Sequence, residues 1–182
     1  MCNHVFELAR SCDASAESEP LGLIPSHPTL RPADILTSAA VSGRLAALDV
    51  GIVSPEATGS GFNCVNAMQA TKRARYARHR EELARENVVY EPMVWSAFGR
   101  PHPRAVELLR LMAKRVARRR GLASSEQIYR RTAAKIGVEV WRRAAQMVAQ
   151  CSPCFTEDEE ISAGEVVDLG KSEPPESAAD PP

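Results

Sequence analysis

The sequence predicts an α/β domain in which a short mixed sheet is flanked by helices. Three observations predict it. Leu45 to Val53 (LAALDVGIV) is a nearly continuous apolar run, the pattern of a strand buried on both faces. Directly after it, Val65, Met68, Lys72, Tyr76, His79 and Leu83 recur at steps of three or four, which marks one face of a helix from Phe62 to about Glu86. Val88 to Trp95 then reads as another strand, and Pro92 inside it favours an edge or an irregular position. Strand, helix, strand in succession builds a sheet with helices packed on it.

The other elements follow in chain order. Val5 to Ala9 reads as the end of a helix that begins abruptly at the chain start. Ala16 to Ile24 is a strand candidate weakened by Pro20 and Gly22, Pro25 to Pro32 is a three-proline loop, and Ala33 to Thr37 is a short strand. Ser42-Gly43 is turn chemistry, Ser54-Pro55 ends the apolar strand, and Gly59-Ser60-Gly61 is a flexible connection. Pro103 suits a helix start; Val106, Leu109, Ala113 and Val116 give that helix its stripe, and Arg118-Arg119-Arg120-Gly121 ends it with cations and a glycine. Ser124 and Gln127 stand at capping-box spacing before a last helix whose inner face is Ile136, Val140, Ala144 and Met147. From about residue 154 onward the chain is acidic and rich in Pro, Ser and Ala, the composition of a disordered tail. The expected organisation is an α/β core over 1–120, a basic helix over 121–153 and the tail over 154–182.

A chain of 182 residues, 44% apolar and 25% charged, has room for one such domain and its tail. No apolar run approaches 18 residues, and the start lacks a basic patch followed by an apolar stretch, so neither a membrane span nor a signal peptide is expected. Five cysteines at uneven spacing do not form a disulfide framework and fit a reducing compartment. Cys151 and Cys154 make a single CxxC without a second pair, an incomplete zinc site.

The zero net charge hides segregation. Residues 1–61 carry a net of −4, residues 62–150 a net of +12 and residues 151–182 a net of −8. A block at +12 points to an anionic partner, foremost nucleic acid, or else to a set of solvated arginine-rich helices. The candidate phosphate contacts are Lys114, Arg115, Arg118, Arg119, Arg120, Arg130, Arg131, Arg142 and Arg143.

Three residues carry candidate chemistry. Asp49 lies in the middle of the buried-type strand, where an unpaired charge costs several kcal/mol on the usual scale of burial penalties, so it needs a metal, a cation or hydrogen bonds. Asp34 follows Arg31-Pro32-Ala33. Lys72 interrupts the apolar stripe between Met68 and Tyr76. On the residues alone two readings stand: an aspartate paired with an arginine and a snorkelling lysine, or two carboxylates that hold a hard cation beside an amine that positions water. The second is a constellation for metal-dependent phosphodiester hydrolysis.

The stretches Glu19-Pro20-Leu21-Gly22-Leu23, Arg31-Pro32-Ala33-Asp34-Ile35, Ala47-Leu48-Asp49-Val50 with Ser54-Pro55, Lys72-Arg73-Ala74-Arg75-Tyr76, and Tyr90-Glu91-Pro92-Met93-Val94 leading into Phe98-Gly99 stand in a telling order. Over roughly residues 4–120 the chain resembles the restriction-endonuclease-like domain of the PD-(D/E)XK superfamily, in the form found C-terminal to reverse transcriptases of non-LTR retroelements. Fourteen residues separate Asp34 from Asp49, within that signature. The resemblance implies an α-β-β-β-α-β core and Mg²⁺-dependent cleavage of DNA. It implies Asp34 and Asp49 as metal ligands with the main-chain carbonyl of Val50, Lys72 as the catalytic lysine displaced from strand to helix, and Glu19 as an accessory acid. No organic cofactor is implied, and the setting is intracellular, nuclear in a eukaryote.

The sequence departs from the pattern at three points. Ala33 intervenes between Pro32 and Asp34, Gly51 stands at the usual lysine position, and the first helix is truncated at Met1. Without a polymerase aspartate pair or a zinc knuckle, the chain reads as a detached endonuclease piece or a degraded element copy. Two readings rival catalysis: a non-catalytic nucleic-acid-binding remnant, and an interaction module whose acidic tail recruits basic partners.

Overall fold

The run Leu45–Val53 forms the central strand, and everything else is arranged around it. The structure, a computed structural model, describes residues 2–55 and 63–151. The Gly59–Gly61 connection, Phe62, Cys154 and the acidic segment 154–182 lie outside the described residues. In chain order the elements are α1 (Cys2–Cys12), β1 (Glu17–Ser18), β2 (Ile35–Thr37), β3 (Leu45–Val53), α2 (Cys64–Tyr76), a 3₁₀ turn (Ala77–His79), α3 (Arg80–Arg85), β4 (Val88–Ser96), α4 (Pro103–Arg119) and α5 (Glu126–Cys151). The sheet is mixed, in the order β1-β2-β3-β4, with the first two pairings antiparallel and β3–β4 parallel.

The apolar run has two jobs because both its faces are covered. Ala46, Leu48, Val50 and Ile52 pack with Val5, Leu8, Leu108, Met112, Ile136 and Val140 from α1, α4 and α5. Leu45 and Ala47 pack with Tyr76, Leu83 and Val88 on the opposite face, and Val53 packs with Val65 and Val94. Alternate residues of one strand thus feed different cores, which is why its sequence shows no polar alternation. Pro92 is accommodated because β4 is the edge of the sheet.

Helix α4 begins at Pro103 with His102 as its cap, the ring Nδ1 accepting from the amide of Arg104 at 3.1 Å. At its far end the chain reverses at Gly121, whose φ of +65° a β-carbon would strain. Ser124 accepts from the amide of Glu126 at 3.2 Å and starts α5. Helix α5 buries Ile136 and Val140 against α1 and α4, so the described part of 121–153 continues the body formed by the residues before it.

Three expectations are corrected. The strand expected over Ala16–Ile24 is only Glu17–Ser18, because Glu19 (φ +50°) and Gly22 (φ +72°) turn the chain away from the sheet. The long helix is broken: ψ near zero at Tyr76 and His79 tightens Ala77–His79 into a 3₁₀ turn, which lets His79 and Leu83 both point inward. The inner face of α5 does not extend to Met147, which is 47% exposed where the helix overruns the body. Trp95 is buried in the core, and Trp141 on α5 is 59% exposed.

Candidate functional site

Strand β3 pairs with β4 along all nine of its residues but with β2 only through Ala46–Leu48. Beyond Leu48, no strand among the described residues pairs with the edge of β3 that faces β2. Asp34, the residue before β2, takes up part of that edge. Its amide donates to the Leu48 carbonyl at 2.9 Å, and its Oδ2 accepts the Val50 amide at 2.7 Å. In a pleated strand a residue's N–H and C=O leave on the same side, so the Val50 carbonyl faces the same edge as the Asp34 carboxylate.

Asp49 projects from β3 toward α2. The Lys72 ammonium donates to its Oδ1 at 2.6 Å, and the Tyr90 hydroxyl donates to its Oδ2. The carboxylate and the amine are only 17% and 20% exposed, so solvent screens their attraction less than at an open surface. The apparent oddity of a lysine in an apolar stripe is thereby resolved: the helix buries the stem, and the strand supplies the counter-charge.

Burial pushes the Asp34 carboxyl above the usual carboxylate range. The Val50 amide and the Lys72 charge act the other way, and the Asp49 and Glu19 charges add to the rise. Burial, the bond to Asp49 and the charge of Asp49 also raise the Tyr90 phenol, so it stays protonated and donating. Its ring packs against Tyr76, tilted by 48°, with centroids 4.6 Å apart. The Tyr76 hydroxyl points to the Arg31 carbonyl at 3.5 Å, so Tyr76 packs the helix as expected.

Asp34, Asp49 and Lys72 are therefore brought together. Glu19 adjoins them through its backbone, its amide donating to the Asp34 carbonyl at 2.7 Å, but its carboxylate turns outward to Arg31 at 2.8 Å. Tyr90 was missed. A signal existed: Tyr90 pairs with Ala47, which puts it diagonal to Asp49 on the same face of the sheet. Among the described residues no three His, Cys, Asp or Glu side chains converge as a metal-ligand group. A cation here would draw on two carboxylates and a main-chain oxygen, an all-oxygen donor set suited to a hard divalent ion.

The nine candidate phosphate contacts divide between two ends of the body. Arg115 is structural: it donates to the carbonyls of Ser38 (2.5 Å) and Val41 (3.3 Å), fastening α4 to the segment after β2. Since Thr37 pairs with Ala46, this is the end of the sheet where β3 begins, opposite the edge beside Val50. Lys114, Arg118, Arg119 and Arg120 are exposed near that end. Arg130 there pairs with Glu126, and Arg131 is exposed. Arg142 and Arg143, both bonded to Glu139, lie at the other end of α5. The charges of Arg143, Asp34 and Glu19 all act on the Cys2 thiol at the start of α1. Arg75, on α2, acts on both Tyr76 and Tyr90 and is a cation of the site that the sequence reading overlooked.

No family model matches this chain, and neither a curated protein nor a solved structure matches it.

Proposed function

We propose that this chain carries a restriction-endonuclease-like domain of the retroelement-associated kind and hydrolyses DNA phosphodiester bonds with Mg²⁺. The observation that carries the reading is the convergence of Asp34, Asp49 and Lys72 beside the stretch of β3 that extends past β2. Asp34, Asp49 and the Val50 carbonyl would hold the cation. Mg²⁺, when bound, supplies positive charge opposite the phosphate oxygens. The chain's own groups do the rest. Asp49 orients Lys72 through the bond between them. The ammonium then hydrogen-bonds a phosphate oxygen or the attacking water, a role worth ~10²–10⁴-fold in rate for a positioned acid–base group. Tyr90 fixes the Asp49 carboxylate from its second oxygen. Arg75, whose charge acts on Tyr90 beside Asp49, adds a cation where the DNA backbone must lie.

One observation favours a second reading, a nucleic-acid-binding remnant without catalysis. Both Asp49 oxygens already accept a hydrogen bond, from Lys72 and Tyr90, which leaves a cation only their remaining lone pairs. Supercoiled plasmid incubated with the chain in Mg²⁺ and in EDTA separates the two readings. Nicked circles in Mg²⁺ alone support hydrolysis. Retarded but intact plasmid in both supports the remnant.

A further inference from the structure

We propose that Trp141 and Phe98 form a stacking platform for unpaired bases, so that the nucleic acid bound here is single-stranded or locally opened. This rests on the nucleic-acid reading of the site and names the substrate class within it. Both side chains are unusually exposed for large aromatics, at 59% and 62%. The other tryptophan, Trp95, is buried in the core, so the exposure of Trp141 does not come from a lack of room for indoles in this fold.

The two aromatics belong to one patch. The Trp141 indole lies against the turn between β4 and α4, its Nε1 3.5 Å from where a β-carbon on Gly99 would sit. Gly99 has φ +82°, so the turn needs glycine there, and the missing side chain leaves the indole edge against bare backbone. One helical turn before Trp141 stands Gly137, and a β-carbon there would meet nothing within 4 Å. At 59% exposure the indole, held by the turn at Gly99, keeps a face uncovered. Phe98 precedes Gly99 in the same turn.

Position and charge suit a nucleic acid. The amide of Ala97 bonds to the Val53 carbonyl at 2.8 Å, which ties the turn to the end of β3, four residues beyond Asp49. At ~3.3 Å per strand residue that is roughly 13 Å from the proposed reacting centre. Arg100 lies in the same turn, and Arg142 and Arg143 directly follow the indole. Exposed aromatic faces on a basic helix suit a single strand, because every base has a π-face to stack. A duplex keeps its bases inside and offers the platform nothing.

The test uses the full chain in EDTA, so that binding is read without cleavage. A labelled oligothymidylate and a labelled duplex of mixed sequence serve as probes. Trp141→Ala should weaken oligothymidylate binding roughly 5- to 100-fold, Phe98→Ala less, and Trp141→Phe should retain most of the affinity. Duplex binding should change by less than about twofold, with the thermal midpoint unmoved. Equal losses on both probes, or no loss on either, would overturn the platform; the second outcome would leave the patch as a contact for a protein. A chain that nicks DNA while Trp141→Ala binds the oligonucleotide normally loses only the platform. A chain that never nicks, yet loses single-strand binding in Trp141→Ala, loses only the hydrolytic reading.

Discussion

A β-carbon added to Gly51 would stand 2.8 Å from Cε of Lys72 and 3.2 Å from its Nζ. The lysine on α2 thus occupies the side-chain space of the strand position two after Asp49. Two sequence features that looked independent, a glycine where a strand lysine was expected and a lysine in an apolar helical stripe, are one spatial fact.

Gly51→Ala follows from this. The added methyl meets the flexible end of a side chain rather than backbone, so the lysine yields and the fold does not. Stability should change by less than ~1 kcal/mol, the scale of a glycine-to-alanine exchange in a strand. Nicking should nevertheless fall toward the level of Lys72→Ala, and the double variant should be no slower than Lys72→Ala alone. Rates measured for the three variants, with a denaturation curve for each, check this. Additive losses would mean that Gly51 acts apart from the lysine.

The divided cations give a second expected outcome. Replacing Lys114, Arg118, Arg119 and Arg120 should reduce duplex affinity for all sequences alike. The salt dependence should flatten too, the log–log slope falling by ~0.9 for each phosphate that is no longer neutralised. Nicking at saturating DNA should persist. Replacing Arg75 should lower nicking even at saturation, since its charge acts on Tyr90, which bonds Asp49. Arg115→Ala belongs to neither set: it leaves two carbonyls without their donor and should cost roughly 1–3 kcal/mol of stability. Binding isotherms at several salt concentrations, paired with melting curves, distinguish the three groups.

Much of the fold was legible because it rests on periodicity. The β3 run, the edge position of β4 and the stripe of α4 are all local patterns that the packed cores confirm. The convergence of Asp34 and Asp49 with Lys72 was legible too, since a strand followed by a helix that packs back on it constrains where a lysine on the inner face can reach. What escaped were features set by tertiary partners. Glu19 takes a left-handed backbone to hydrogen-bond the Asp34 carbonyl, which no strand pattern encodes. Arg115 looks like any other arginine of its run, yet two carbonyls 74 and 77 residues away capture it. Trp141 follows the inward Val140 by one position, about 100° around the helix, and its exposure depends on where α5 stops touching the body.

Asp13 gives the pH dependence of stability. Burial alone would raise its carboxyl, but bonds from Ser15, Ser38 and Thr37 outweigh burial and hold it well below the usual carboxylate range. A depressed acid stabilises the fold above its unfolded-state pKa, and that contribution is lost as pH falls through the folded-state value. Asp13→Ala should therefore be roughly 1–3 kcal/mol less stable at neutral pH, with donors on Thr37 and Ser38 left unsatisfied. The gap to wild type should narrow below about pH 4, where an unfolded aspartate begins to protonate. Urea denaturation at neutral and acidic pH reads it; a gap that is constant with pH would mean that the ionised form is not what the three residues recognise.

The most direct measurement is the plasmid-nicking rate of wild type, Asp34→Asn and Asp49→Asn in Mg²⁺, taken at protein concentrations that give equal DNA occupancy. Each asparagine removes a charge that a hard cation needs and leaves the size of the side chain unchanged. The account predicts nicking by wild type that EDTA abolishes, and none above background for either variant. Wild-type chain that occupies the plasmid and leaves it supercoiled in both Mg²⁺ and Mn²⁺, or variants that nick as fast as wild type, would contradict it.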